Sequence, residues 1–210
     1  MIELQEQDDL FELISSKIKK DIVCYAFGGT ALMYYGFKEA TKDIDIIFEK
    51  EEDRKNFIEA ITQLGFKKRT LIGVYNLEKL RQETKPLMFE RGDSRFDLFL
   101  KKIFSTELTK EMIERSKERH DFIRKDKTLT VSVLSKEDII LLKSVTSRQN
   151  DYEDIIMLLK KVDIDWNIIV EEAIRQKDKW TALDLEETMQ KLKKEFYISK
   201  KHFDKLYSSV

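Results

Sequence analysis

Residues 26–49 read AFGGTALMYYGFKEATKDIDIIFE, and the fold turns on how this stretch is read. The overlapping segment before it, DIVCYAF, is short, β-branched and aromatic and stops at Gly28-Gly29, which predicts a buried strand. TALMYYG predicts a short helix ending at Gly36, since glycine accepts the left-handed conformation that closes many helices. DIDIIFE predicts the next strand. Residues two apart in a strand share a face, so Asp43 and Asp45 point the same way, about 6.5 Å apart along the backbone. Ile44 and Ile46 then point to the opposite face, where a core would lie. Two like charges at that spacing repel by roughly 2.5 kcal/mol at an effective dielectric of about 20. A divalent cation removes the difficulty, because hard Mg²⁺ accepts carboxylate oxygens and keeps room for substrate phosphates. The alternative is that both aspartates end a strand at a solvent-exposed rim.

The neighbouring glycines favour the first reading. Gly28-Gly29 falls where a strand turns into a helix, and glycine lets backbone amides approach a phosphate closely. The Thr30 hydroxyl adds a further donor. A third acid, Asp97, lies inside the apolar SRFDLFL between Phe96 and Leu98. A buried aspartate needs a partner, either a metal shared with the Asp43/Asp45 pair or an ion pair with Arg95 or Lys101. KPLMFE and SRFDLFL flank RGD, which predicts a β-hairpin through Gly92. Elsewhere, DDLFELISSKIKK, EEDRKNFIEAITQLGF (ending near Gly65) and TKEMIERSKER predict helices, and DFIRK and TLTVSVL predict strands.

From Ser135 onward the pattern is helical. Ser135 with Asp138 three residues later reads as an N-cap, and helical periodicity continues through YEDIIMLLKKV, DWNIIVEEAIRQ and LDLEETMQKLKKEF. The expected organisation is a mixed α/β (α+β) domain over residues 1–134 and a helical region over 135–210 packed on it. Lys143, Ser147, Asp151 and Asp154 recur at three- and four-residue spacing, as on one helix face, and Arg148 sits three before Asp151. An ordinary ion-paired solvent face is the alternative.

Composition narrows the function. Against 40 acidic residues stand 39 basic ones, so a net charge of -1 gives no global argument for nucleic acid and any basic face must be local. The runs KKR (67–69), RKDK (124–127) and KLKK (191–194) have acids interleaved nearby and read as solvated surface. The single cysteine, Cys24, excludes an internal disulfide, fits a reducing cytoplasm and reads as a core thiol. The acidic MIELQEQDDL predicts no signal peptide, and no apolar run approaches the roughly 20 residues of a membrane helix. His120 and His202 lack cysteine partners for zinc, and Trp166 and Trp180 read as packing anchors.

Taken in order, FGGT, DID and RFDLF resemble the nucleotidyltransferase superfamily of DNA polymerase β, with its Gly-Gly turn, Asp-x-Asp strand and later strand Asp. The longer pattern, GGTAL through Gly36 to Thr41-x-DIDI, is similar to the AbiEii-like, toxin-type branch. That branch also carries a Lys followed by Arg-x-x-Asp-x-x-Asp, and LKSVTSRQNDYEDI supplies Lys143, Arg148, Asp151 and Asp154. Relatives often place a basic residue just before the first of those aspartates, where this chain has Asn150. The resemblance covers roughly residues 20–160. It implies a mixed sheet flanked by helices, an NTP substrate, two Mg²⁺ ions and release of pyrophosphate. Asp43, Asp45 and Asp97 would be the catalytic, metal-binding residues. Gly28, Gly29, Thr30, Lys143, Arg148, Asp151 and Asp154 would bind the nucleotide. In that branch the acceptor is often RNA, especially a tRNA 3′ end, within a toxin–antitoxin pair that includes a cognate antitoxin protein. Two alternatives stand beside it. One is nucleotidylation of a small hydroxylated molecule, as antibiotic nucleotidyltransferases perform. The other is a non-catalytic member that binds a nucleotide or a partner, which Asn150 keeps open and the intact aspartates oppose.

Overall fold

The structure, a computed structural model, describes residues 1–69, 85–146 and 148–208. The chain forms two compact units, Met1–Leu134 and Ser135–Val210. The first unit begins with β1 (Ile2–Glu3), α1 (Leu4–Ser15), β2 (Ile22–Ala26), α2 (Gly28–Tyr34), β3 (Ala40–Thr41) and β4 (Ile44–Phe48). It continues with α3 (Glu51–Gln63), β5 (Lys67–Lys68), β6 (Leu87–Arg91), β7 (Ser94–Leu100), β8 (Lys102–Ile103) and β9 (Thr106–Glu107). It closes with α4 (Lys110–Arg115), β10 (Glu118–Arg124) and β11 (Lys127–Val133).

Among the described residues these strands make a mixed α/β fold, with a nine-stranded sheet ordered β10-β11-β2-β4-β7-β6-β5 and β8 and β9 branching from β7. β11 is parallel to β2, β2 antiparallel to β4, and β4 parallel to β7. The alternation in DIDIIF places Ile44, Ile46 and Phe48 on one face. There they pack with Phe96 and Leu98 of β7, Phe11 and Ile14 of α1, and Phe57, Ala60 and Ile61 of α3. Burying each such side chain stabilises by about 1.5–3 kcal/mol, which fixes both helices on this face. Asp45, Ile47, Asp97 and Phe99 therefore belong to the other face. Cys24 is wholly buried in β2, as a core thiol would be.

Several elements differ from the sequence reading in extent. The helix after Gly28-Gly29 begins at Gly28 itself rather than at Thr30. TKEMIERSKER is helical only over Lys110–Arg115, because Glu118 onward is taken by a seven-residue antiparallel ladder with β11. The β1–β3 pair was not anticipated, since two-residue strands carry no periodicity. The RGD segment does form a hairpin turn, with Arg91 paired to Ser94 and Gly92 at φ +57°.

The second unit comprises α5 (Lys136–Ser144), α6 (Gln149–Lys161), α7 (Trp166–Arg175), α8 (Lys179–Leu192) and α9 (Lys200–Tyr207). Ser135 caps α5, its Oγ accepting from Asp138 N–H at 3.2 Å and donating to Asp138 Oδ2 at 2.7 Å. Ile139, Leu141, Ile169, Ala173, Leu185 and Met189 are buried and supply the apolar faces of α5, α7 and α8. The single face expected for Lys143, Ser147, Asp151 and Asp154 is instead split, because α5 ends at Ser144 and α6 starts at Gln149. Ser147 lies outside the described residues. Trp180 is 57% exposed and is no packing anchor. No described helix is long and apolar enough to cross a membrane.

Candidate active site

The parallel β4–β7 pairing sets Asp45 directly beside Asp97 in register. Asp43 lies one residue before β4. The turn from β2 into α2 comes up against this pair. A Cβ on Gly28 would sit 2.6 Å from Asp45 Oδ2, and Gly28 adopts φ +57°, so both space and backbone call for glycine there. A Cβ on Gly29 would run into Thr41 Oγ1. Thr30 has a different part from the one its hydroxyl suggested. It is fully buried, accepts the Asp45 N–H at 2.8 Å and donates to the Asp43 carbonyl at 3.5 Å. The hydroxyl thus pins the start of β4 and with it the height of both aspartates.

Arg95 lies between two of the three carboxylates. Its Nε donates to Asp97 Oδ1 at 3.0 Å and its Nη2 to Asp97 Oδ2 at 3.2 Å, while Nη2 also pairs with Asp43 Oδ2. The sequence offered Arg95 as an alternative partner for Asp97; the second bond, to Asp43, was missed. The spacing of Arg95 and Asp97, two apart on a strand, marks only the first bond; the second depends on β4 lying beside β7. Burial pushes the Asp97 carboxyl up to about 6, with Arg95 opposing that rise and Asp43 adding to it.

Among the described residues no three His, Cys, Asp or Glu side chains are gathered so as to hold a metal as they stand. Two observations nevertheless fit a hard divalent cation. The donors Asp43, Asp45 and Asp97 offer carboxylate oxygen, the chemistry Mg²⁺ prefers. A cationic group, the Arg95 guanidinium, already stands between Asp43 and Asp97.

In the second unit, Lys143 Nζ reaches Asp151 Oδ1 and Asp154 Oδ2, each at 2.7 Å. Asp151 Oδ2 also accepts from Thr146 Oγ1 at 2.5 Å and from Arg148 Nε at 2.7 Å. Burial pushes the Asp151 carboxyl up, but Lys143, Thr146 and Arg148 together outweigh it and hold the group below the ordinary carboxylate value. The spacing that suggested one face thus becomes a lock between two helices. Lys143 is 6% exposed and points into that lock, whereas the Arg148 side chain is 67% exposed. A cleft of about 290 Å³ opens beside it, with Lys143, Arg148, Tyr152, Glu187, Lys191 and Lys194 in its wall. Thr146 was missed by the sequence reading, and nothing in its spacing marked it.

The family described as "Nucleotidyltransferase of unknown function (DUF6036)" matches residues 3–205. The chain belongs to this family. It is therefore a nucleotidyltransferase, as FGGT, DID and RFDLF led one to expect, while the family description does not specify the AbiEii-like branch. Five solved chains also match. One, ANT(2")-Ia in complex with adenylyl-2"-tobramycin, shares 16% identity over 72% of this chain and 86% of its own, with a TM-score of 0.47. No curated protein matches.

Proposed function

We propose that this nucleotidyltransferase moves an NMP from an NTP to an acceptor hydroxyl with Asp43, Asp45 and Asp97 as its catalytic carboxylates. The observation that carries the reading is the register match of Asp45 and Asp97 across two parallel strands, against a glycine turn that leaves no room for a side chain. Asp97 takes the proton from the acceptor hydroxyl. The acceptor oxygen attacks the α-phosphorus, the bond to the β-phosphate oxygen breaks, and pyrophosphate leaves. Gly28 and Gly29 let the backbone approach the triphosphate, whose oxygens would accept from the first N–H groups of α2, which have no intrahelical carbonyl to bond. Asp43, Asp45 and Asp97 would hold Mg²⁺, which when bound neutralises phosphate charge and lowers the acceptor hydroxyl's pKa. Arg148 would contact the nucleotide, and Lys143, Asp151 and Asp154 would set its place at the head of α6.

For the acceptor, the AbiEii-like resemblance supports an RNA 3′ end, tRNA foremost, with a cognate antitoxin as restraining partner. A small hydroxylated molecule is favoured by a separate observation. One residue in each of two basic runs is ion-paired within the chain, Arg124 with Glu12 at 2.7 Å and Arg69 with Glu90 at 3.3 Å, which reduces the charge left for an RNA backbone. The test supplies each α-labelled NTP with Mg²⁺ and either total tRNA or a panel of aminoglycosides and other polyols. Label in RNA establishes the first acceptor and label in a small molecule the second. Transfer that survives Asp43→Ala/Asp45→Ala would sink the proposal.

A further inference from the structure

The Arg95 guanidinium lies between Asp43 and Asp97, two of the carboxylates proposed above to hold a divalent cation. It forms a two-bond fork on Asp97 and a third contact on Asp43, and the Asp97 side chain is only 11% exposed. These carboxylates cannot give the same oxygens to a guanidinium and to a metal. A charge-assisted fork of this kind is also among the stronger side-chain contacts. We infer that Arg95 is a resident counter-cation that competes with divalent metal for Asp43 and Asp97, keeping the nucleotide-free site closed to free cations. The inference rests on the cation-binding role proposed above.

The competition has a directional consequence. Leaving the carboxylates strands a positive charge in a partly buried place, 27% exposed, unless another anion receives it. A triphosphate is such an anion. Cation and nucleotide should therefore enter together, each relieving the cost the other would meet alone, and affinities measured separately should understate affinity measured jointly. Arg95 acts in this through Asp43 and Asp97, as a positioning residue. A lysine at this place is a point charge that cannot reproduce the planar fork, so Arg95→Lys should weaken the competition without abolishing it.

The test measures Mn²⁺ binding directly, from the loss of the free-ion electron paramagnetic resonance signal, on full-length protein without nucleotide. The expected result is that Arg95→Gln binds Mn²⁺ on the order of tenfold to a hundredfold tighter than the native chain, with Arg95→Lys in between. Adding a non-hydrolysable NTP analogue should close most of that gap. Equal or weaker Mn²⁺ binding by Arg95→Gln, with binding by the native chain intact, overturns the competition while leaving the cation site standing. Failure of every form to bind Mn²⁺ with or without the analogue, matching Asp43→Ala/Asp45→Ala, overturns the cation site and the competition with it. If Arg95→Gln does not fold by circular dichroism, Arg95→Lys alone decides: tighter than native supports competition, and equal or weaker removes it.

Discussion

Gly28 shows how much of the site rests on one missing carbon. With φ +57° and 2.6 Å of space toward Asp45 Oδ2, alanine there meets both a backbone penalty of about 1–2 kcal/mol and a displaced carboxylate. Gly28→Ala should lower urea stability by that amount or more and reduce transfer further than the stability loss explains. Thr30→Val keeps the shape but removes the acceptor for the buried Asp45 N–H. The expected cost is about 1–3 kcal/mol by chemical denaturation. Asp97 gives a pH signature. Its folded carboxyl, pushed up to about 6 by burial, binds a proton more tightly than the unfolded chain does. Its contribution to stability is thus full below the ordinary carboxylate value and lost as pH rises through about 6. Metal-free protein should lose up to about 3 kcal/mol across that window, and Asp97→Asn should flatten the curve.

Among the elements, the junction of α5 and α6 is where helical spacing misled. Lys143, Asp151 and Asp154 fit one continuous helix arithmetically, and nothing local marked a break, since no glycine or proline interrupts LKSVTSRQNDYEDI. What ends α5 is tertiary: the chain reverses so that the two carboxylates of α6 can enclose the Lys143 ammonium. By contrast the hairpin through Gly92, the Ser135 cap and the alternation in DIDIIF were legible, because each is set by residues within a few positions of one another. Arg95 was half legible: its bond to Asp97 is local, its bond to Asp43 depends on the order of strands. Lys143→Met should destabilise the helical unit by about 3–5 kcal/mol, the cost of leaving buried carboxylates without that partner, read from urea melts followed by circular dichroism. Because the Asp151 carboxyl is held below its ordinary value, its contribution is present above that value and lost as pH falls through the folded one. Acid should therefore weaken this lock in native protein, and Asp151→Asn should remove that dependence while being less stable at neutral pH.

At the scale of the whole molecule, a net charge of -1, with Arg69 and Arg124 of the basic runs ion-paired, leaves little long-range attraction for a polyanion. If RNA is the acceptor, its binding should depend only weakly on salt. A log–log slope no steeper than about -2 by filter binding would correspond to roughly three phosphate contacts on a single strand. The sheet order itself was not readable from the sequence, as it joins β4 to β7 across α3, β5 and β6 among the described residues. That distant pairing carries a consequence for which changes of length the chain can accept. One residue added between Phe96 and Asp97 would exchange the faces of everything beyond it in β7, turning the carboxylate toward Phe57 and the Leu98 side chain toward the proposed site. The same residue added at Asp93, in the turn, shifts no partner in the ladder. An insertion scan should therefore find abrupt loss of transfer inside β7 and tolerance at its hairpin, tracing the catalytic register as a sharp boundary in sequence.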